Sequence, residues 1–479
     1  MTKQLQQAKG SYVRMSIGLE TDFGTAAAAD AGKTLKFNSS GLNATRDLNS
    51  SETIQPGRSP VEPFPGNGSV DGDFVVPLDL NQLAFLFKCA FGAPVTSTVS
   101  GGTTLEQSIS GVTAGPTGYA SYAALEVSDI DGFAVNDSVT VTGTTGYNGT
   151  HKILHIEPMG GLVIDVAYGS SETPSGAKVS KAVPGTYSHV FGIKEEQPSF
   201  TIEQLHKDLA ESFVYQGCKI STLSIGAASD GQENTVTIGI MGSKPKTLIA
   251  PKAITAFSGS GSSVTATLGS GHGLVVGDTI VIAGSVNYNG AHIVTAKADT
   301  TVTFAATYVA ESVTTNYEPV WCKAHFDSPT SIPLARLGTF SARLYKDGAI
   351  YNCARNFNIQ FDFGLDGDMR CIGDDGYRSS IPEGTVQITS SLTALFKSGN
   401  LFREGAENTT VGLKLEFTDP DGLRKLTIEL PENKVQPSSP PVDSPRGLSQ
   451  DITVQAFSSD SENGASACVI TVINDMNAI

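Results

Sequence analysis

Two hydrophobic spacings share this chain, and one dominates. Most of the sequence runs in short stretches where apolar and polar side chains alternate, the period of a strand with one buried face. Ser199–Glu203, Lys219–Gly226 and Thr235–Met241 read this way in the first half, and Gly412–Thr418, Arg424–Leu430 and Asp451–Phe457 in the second. Asp419-Pro420-Asp421-Gly422 supplies a turn between two of them. Helical spacing is confined to two places. After a strand over Asp73–Leu78, Asp79 and Gln82 stand at capping-box spacing ahead of a helix over Leu80–Lys88, whose Leu83, Ala84 and Phe87 should face a core. In the second half a strand over Thr385–Thr389, an N-cap at Ser390 or Ser391 and a helix over Leu392–Lys397 closed by Gly399 restate that order.

A long polar stretch precedes each strand and helix. Arg46–Gly72 carries Pro56, Gly57, Pro60, Pro63, Pro65, Gly66 and Gly68, too many breakers for a core strand, and Phe357–Gly384 is its counterpart. Both are expected to project as loops. Ahead of them, Tyr12–Phe37 opens with Glu20-Thr21-Asp22-Phe23-Gly24-Thr25 and reads as an irregular arm of the kind that fastens subunits.

One stretch is written twice. Val135, Asp137, Gly143, Tyr147, Asn148, Gly149 and His151 return in the same order and spacing as Val276, Asp278, Gly284, Tyr288, Asn289, Gly290 and His292. Repetition at fixed lag marks two copies of one structural unit. Each is a small β module in which Asn and Gly of the Tyr-Asn-Gly sequence make a tight hairpin turn at positive φ. The expected organisation is a first β domain over 1–100 and 185–250, interrupted by a module at 101–184, then a second module at 251–319 and a second β domain at 320–479.

Composition agrees with a β-rich chain of several domains: 479 residues, 51 Gly and 23 Pro. The 32 Lys and Arg are outnumbered by 48 Asp and Glu, a formal charge of -16 that repels polyanions. The N-terminal segment has no apolar run of signal-peptide length, and no window is apolar enough to cross a bilayer. Six dispersed cysteines, with no C-x-x-C pair, suit buried free thiols in a reducing compartment.

Candidate chemistry is sparse. His151 and His155 fall on a strand pattern, where they spread apart instead of converging on a metal. Asp366, Asp368, Asp374 and Asp375 miss the calcium-loop order because Arg370 stands at a ligand position. Phosphate-loop, serine-hydrolase and zincin motifs are absent from the sequence. Neither a cofactor nor an enzymatic activity is expected.

The Glu-Thr-x-Phe-Gly-Thr opening, the Arg58-bearing stretch running into Gly68-Ser69-Val70-Asp71-Gly72, the helix ending Leu-Phe-Lys and the closing strands Asp451–Phe457 and Val469–Asn474 together resemble bacteriophage tail tube proteins. The resemblance covers about 1–95, 187–250 and 320–479. It implies two β-sandwich or barrel domains, each with a flanking helix, that join neighbours into a ring around a channel, with the modules as decorations. Two domains per chain imply a homotrimeric, pseudo-sixfold ring, with a hexamer as the alternative. Ring stacking would fall to Arg46, Asp47, Glu52 and Arg58 in the first loop and to Asp366, Asp368, Arg370, Asp374, Asp375 and Arg378 in the second. The implied partners are the chain itself, tape measure protein and tail tip or terminator proteins, with DNA passing an acidic lumen unbound and no insertion into membranes. Assembly would occur in the host cytoplasm. A virion decoration or receptor-binding protein that attaches through its repeated modules is the competing reading.

Overall fold

The structure is a computed structural model that describes all residues except 1–6, 55–57, 158–159, 184, 229–230, 247–250, 315–318, 339–340, 420–421, 443–446 and 461–465. Pro56 and Gly57 of the first polar stretch, and Pro420 and Asp421 of the expected turn, therefore lie outside the described residues. The chain divides into two compact units, one of Met1–Val95 with His189–Asn474 and Ile479, the other of Thr96–Ser188 with Asp475–Ala478.

The larger unit is built on twelve principal strands. In the first half these are β1 (Val13–Leu19), β2 (Asn43–Asn49, with the two-residue strand Ser39–Ser40 before it), β3 (Phe64–Pro77), β4 (Phe200–His206), β5 (Glu211–Ala228) and β6 (Thr235–Gly242), with α1 (Leu80–Phe91) after β3. In the second half they are β7 (Ala342–Lys346), β8 (Ala354–Asp362), β9 (Gln387–Leu395), β10 (Thr410–Thr418), β11 (Lys425–Val435) and β12 (Ser449–Phe457), with α2 (Asn400–Ala406) after β9. All these pairings are antiparallel. The first half is ordered β2-β3-β6-β5-β4-β1. In the second half β8-β9-β12-β11-β10-β7 follows the same order, displaced by six strands.

The halves are joined by a ladder. Along the edge of β5 beyond its pairing with β4, Thr222–Ala228 pairs with Asp362–Asn356 of β8. One continuous sheet therefore runs β3-β6-β5-β8-β9-β12. Its core face carries Phe74, Val76, Ile238, Leu223, Ile225, Ile359, Phe361, Ile388, Leu392 and Val454, all buried. Burial of this apolar face is the main force that stabilises the sheet.

Several sequence expectations change. Arg46–Gly72 is no loop throughout: β2 and β3 pair from Asn43↔Asp71 to Asn49↔Phe64, and the connecting segment is confined to 50–63. Pro60 and Pro63 stand in that segment, and Pro65 is the second residue of β3, opposite Leu48 near the start of the ladder. The second stretch keeps its loop character only after β8 ends at Asp362. The helix expected over Leu392–Lys397 is wrong. Ile388, Ser390, Leu392 and Ala394 are buried in alternation, and β9 is flanked on both sides by β8 and β12, so sheet pairing overrides a marginal helical spacing. The helix comes later, as α2. The arm over Tyr12–Phe37 is irregular only between β1 and a short strand at Lys33–Leu35. Its Glu20 carboxylate accepts from Gly24 N, Ser199 Oγ, Thr201 Oγ1 and Gly217 N, which fastens the arm to its own chain.

Helix α1 is longer than expected and all but one of its residues are buried, which is why its apolar positions run all round. Asp79 caps it, accepting from Asn81 N at 3.1 Å and Gln82 N at 3.0 Å, while burial pushes its carboxyl above the ordinary range. The capping box is half made. Gln82, fully buried, turns away from the cap to the backbone of Lys36, so its amide ties the arm to the helix instead of closing the cap.

The smaller unit contains a closed six-stranded barrel, in the order Gly149–Glu157, Gly161–Ala167, Tyr122–Val127, Thr103–Ala114, Lys178–Val183, Ser138–Thr142. The second module, part of the larger unit, is a seven-stranded sheet that follows the same order. There the first strand is broken into Lys252–Ala253 and Ala256–Ser260. Val281 and Ala283 on its outer side pack with Leu205, Ala210, Cys322 and Ala324.

Candidate assembly surface

The two polar stretches singled out in the sequence meet. Loop 363–386 lies against the β2–β3 hairpin, where Gly68 N donates to Gly376 O at 3.0 Å. Arg46 reaches from β2 to Gly66 O (3.2 Å) and Asp375 O (2.9 Å), with its guanidinium over the Tyr377 ring. Tyr377 sits so close over Gly68 that a Cβ there would lie 2.2 Å from the ring. Only glycine fits.

Arg378 is the anchor of this contact. It is buried, donates to both carboxylate oxygens of Asp71 and to the carbonyls of Gly367, Val70 and Gly242, and so ties the loop to β3 and β6. Lys219, also buried, holds the far end of the loop through Ile381 O (2.9 Å) and Glu383 (2.6 Å). That ion pair and two backbone contacts lower the Glu383 pKa although burial opposes them.

The remaining charged candidates are placed differently. Asp47, Glu52, Arg58, Asp366, Asp368, Asp374 and Asp375 are exposed, and Arg370 is half-buried, bonded to Gly376 O at 3.2 Å with Asp368 3.7 Å away. Sequence reasoning overlooked the apolar side chains among them. Leu48, Ile54 and Phe64 stand out on the hairpin, and Met369 and Ile372 on the loop. An apolar residue inside a breaker-rich polar stretch was the available signal.

The repeated module residues are scaffold. Between Ser138–Thr142 and Gly149–Glu157, and again between Thr279–Ala283 and Gly290–Lys297, the connection is six residues long, not a two-residue turn. Gly149 and Gly290 adopt positive φ; Asn148 and Asn289 do not, and their side chains instead bond back to Thr144 O and Ser285 O. Tyr147 and Tyr288 are buried with their hydroxyls on Ser170 O and Val309 O, and His151 and His292 close on the preceding tyrosine carbonyls. Asp137 and Asp278 each cap a turn and pair with Lys181 and Lys323. His155 stacks on Tyr119. The repeated Asp, Tyr, Asn and His side chains are thus all engaged within their own module, Asn and His in the connecting loop and Tyr and Asp across to neighbouring segments.

Among the described residues no three His, Cys, Asp or Glu side chains gather to hold a metal, and no helix is long and apolar enough to cross a membrane. What the surface offers is sheet edge. No strand among the described residues pairs with the outer edge of Ser39–Thr45 at one end of the sheet, or with the edge of Gln436–Val442 beyond β11 at the other. These features define a β-sheet protein with unpaired strand edges at both ends of its sheet among the described residues, the kind of edge to which another strand can pair.

A family model of phage tail tube proteins matches the chain twice, over residues 10–289 and 258–456. No curated protein matches it. The chain belongs to the phage tail tube proteins, a structural subunit of the virion tail whose two matches reflect a duplicated tube domain.

Proposed function

We propose that three copies close a ring of six tube domains, that rings stack into a tube, and that DNA passes the bore during ejection. The continuous sheet through the β5–β8 ladder carries this reading, because it unites two halves of identical strand order within one chain. The domains would run 1–100 with 185–250, and 320–479, with the modules at 101–184 and 251–319 outside the wall. A hexamer of chains would instead place twelve such halves in each ring.

The exposed face of that sheet is suited to a lumen. Val75, Thr237, Ser224, Gln360, Thr389 and Gln455 stand in one row across six strands, none of them buried. Asp73, Asp362 and Asp451 share the face and are exposed. That row is uncharged and the carboxylates beside it repel phosphate, while Lys434, opposite Gln455 on β11, is a cation on the same face; with so few cations to displace its counterions, DNA slides without capture. The hairpin tip and loop 363–386 would make the ring-to-ring contact, Leu48, Ile54 and Ile372 supplying apolar area and the Asp and Arg candidates a salt-sensitive rim. Tape measure protein inside and tip or terminator proteins at the ends complete the partner set, with assembly in the host cytoplasm. Negative-stain images and native mass of the purified protein test the reading. Stacked rings with a bore and a three-chain mass support it; compact particles without a bore end it.

A further inference from the structure

The joint inside the chain predicts the joint between chains. Matching β6 to β12 and β3 to β9 through their shared pairings places Thr222 of β5 in the position of Gln436, since each lies across from an equivalent residue, Gly239 or Thr453. The same matching places Asp362 of β8 in the position of Thr45, and Asn356 in that of Ser39. The strand that completes β5 is therefore present in the first half as Ser39–Thr45, with its outer edge unpaired. The strand that β8 completes is continued in the second half by Gln436–Val442, likewise unpaired.

We propose that Ser39–Thr45 of one copy lies antiparallel against Gln436–Val442 of the next, in the register of the internal ladder, with Thr45 opposite Gln436 and Leu42 opposite Ser439. This rests on the ring reading above and gives it an interface. The hydrogen-bond parity fits. Gly41 N and Gln436 N point inward, to Asp73 O and Thr453 O, so Ser40, Leu42 and Ala44 turn outward on one edge and Pro437, Ser439 and Pro441 on the other. The prolines leave Ser439 as the single outward donor there, but all three carbonyls accept. An acceptor-rich edge cannot pair with a second edge like itself, whereas Ser40, Leu42 and Ala44 supply the donors it lacks, Leu42 N giving up a long 3.4 Å bond to Ser40 Oγ. The contact is consequently head-to-tail, and such contacts close into rings when the rotation allows.

The helices give an independent argument. At the internal joint, Phe91 of α1 packs edge-on against Phe361 and Phe363 of the other half. Helix α2 ends beside Pro437, where a Cβ on Gly405 would lie 2.9 Å from the proline nitrogen, and none of its residues is buried. Phe402 is 42 % exposed, as are Leu395 and Phe396 nearby at 43 and 37 %. A second copy would cover them as the second half covers α1.

The test is a pair of double-cysteine variants in a Cys371→Ser background. Thr222→Cys with Asp362→Cys should close within the chain, and Thr45→Cys with Gln436→Cys should link chains, giving dimers and closed trimers on a non-reducing gel that collapse with reductant. Facing residues outside the hydrogen-bonded pairs bring Cα atoms to about 4.5 Å, within disulfide reach. Ser439→Pro should raise the concentration needed for ring formation about tenfold, the loss of one interface hydrogen bond, without moving monomer unfolding. Rings that form while the second cysteine pair stays unlinked and the first closes would overturn the register but leave the tube intact. Failure of the wild-type chain to form rings at all, in solution and in virions, would overturn both.

Discussion

The Arg378 guanidinium grips both oxygens of the Asp71 carboxylate, at 2.8 and 3.2 Å, across 307 residues of sequence. It closes the seam between the hairpin of one half and the loop of the other. Its remaining donors serve three backbone carbonyls, so truncation leaves several acceptors without a partner at once.

Arg378→Ala should therefore cost about 2–4 kcal/mol of stability, and Arg378→Lys less, since the ammonium keeps the charge but loses the fork. Urea titration of the three proteins measures it. Equal midpoints for wild type and the alanine variant would refute the anchoring role.

Acid should loosen the chain through His325. Burial, with Lys246 3.1 Å from Nδ1 and Lys323 also near, pushes its pKa down to about 4, against the opposing pull of Glu203. A folded-state value below the unfolded one means the contribution is complete above pH 6.5 and is lost as pH falls toward 4. His292, lowered by burial in the second module, acts in the same direction. Urea midpoints should fall between pH 7 and 4.5, and the fall should be shallower in His325→Asn; parallel slopes would exclude this histidine.

Thiol labelling should be selective. Cys89, Cys218, Cys322 and Cys468 are buried, and burial raises the thiol pKa of each, to about 12 in Cys89 and Cys322. Exposed Cys371 should react first, half-buried Cys353 slowly, and the other four only on unfolding. A Cys371→Ser variant that keeps the fast phase would contradict this.

Aspartate at Ile54 or Ile372 should leave folding untouched and shorten tubes. Both side chains are fully exposed, so no core contact is lost, but a charge at an apolar contact must be desolvated. Tube-length distributions from electron microscopy decide it. Normal lengths in both variants would remove these residues from ring stacking.

How much the sequence disclosed depends on where the information sits. The period-two strands and the Asp79 cap are local, and they stood where the pattern put them. Leu392–Lys397 misled because a strand flanked on both sides can hold residues whose spacing also suits a helix; only β8 and β12 decide it. Arg378 looked like one more charge in a polar loop, and its burial comes from Asp71, Val70 and Gly242, all distant in sequence. The repeated Tyr, Asn and His positions were visible as a pattern, but their hydrogen bonds within each module emerge only in three dimensions. The hairpin of β2 and β3 hid behind its prolines, of which Pro60 and Pro63 fall in the connecting segment and Pro65 only at the start of the ladder.

The smaller unit contains a barrel that finishes its own hydrogen bonding, since its first and last strands meet between Thr103↔Val183 and Ser108↔Lys178. A cylinder sealed on itself leaves none of its own strands waiting for a partner. It is therefore the part of this polypeptide whose exchange for another domain should least disturb the strand pairing of the larger unit.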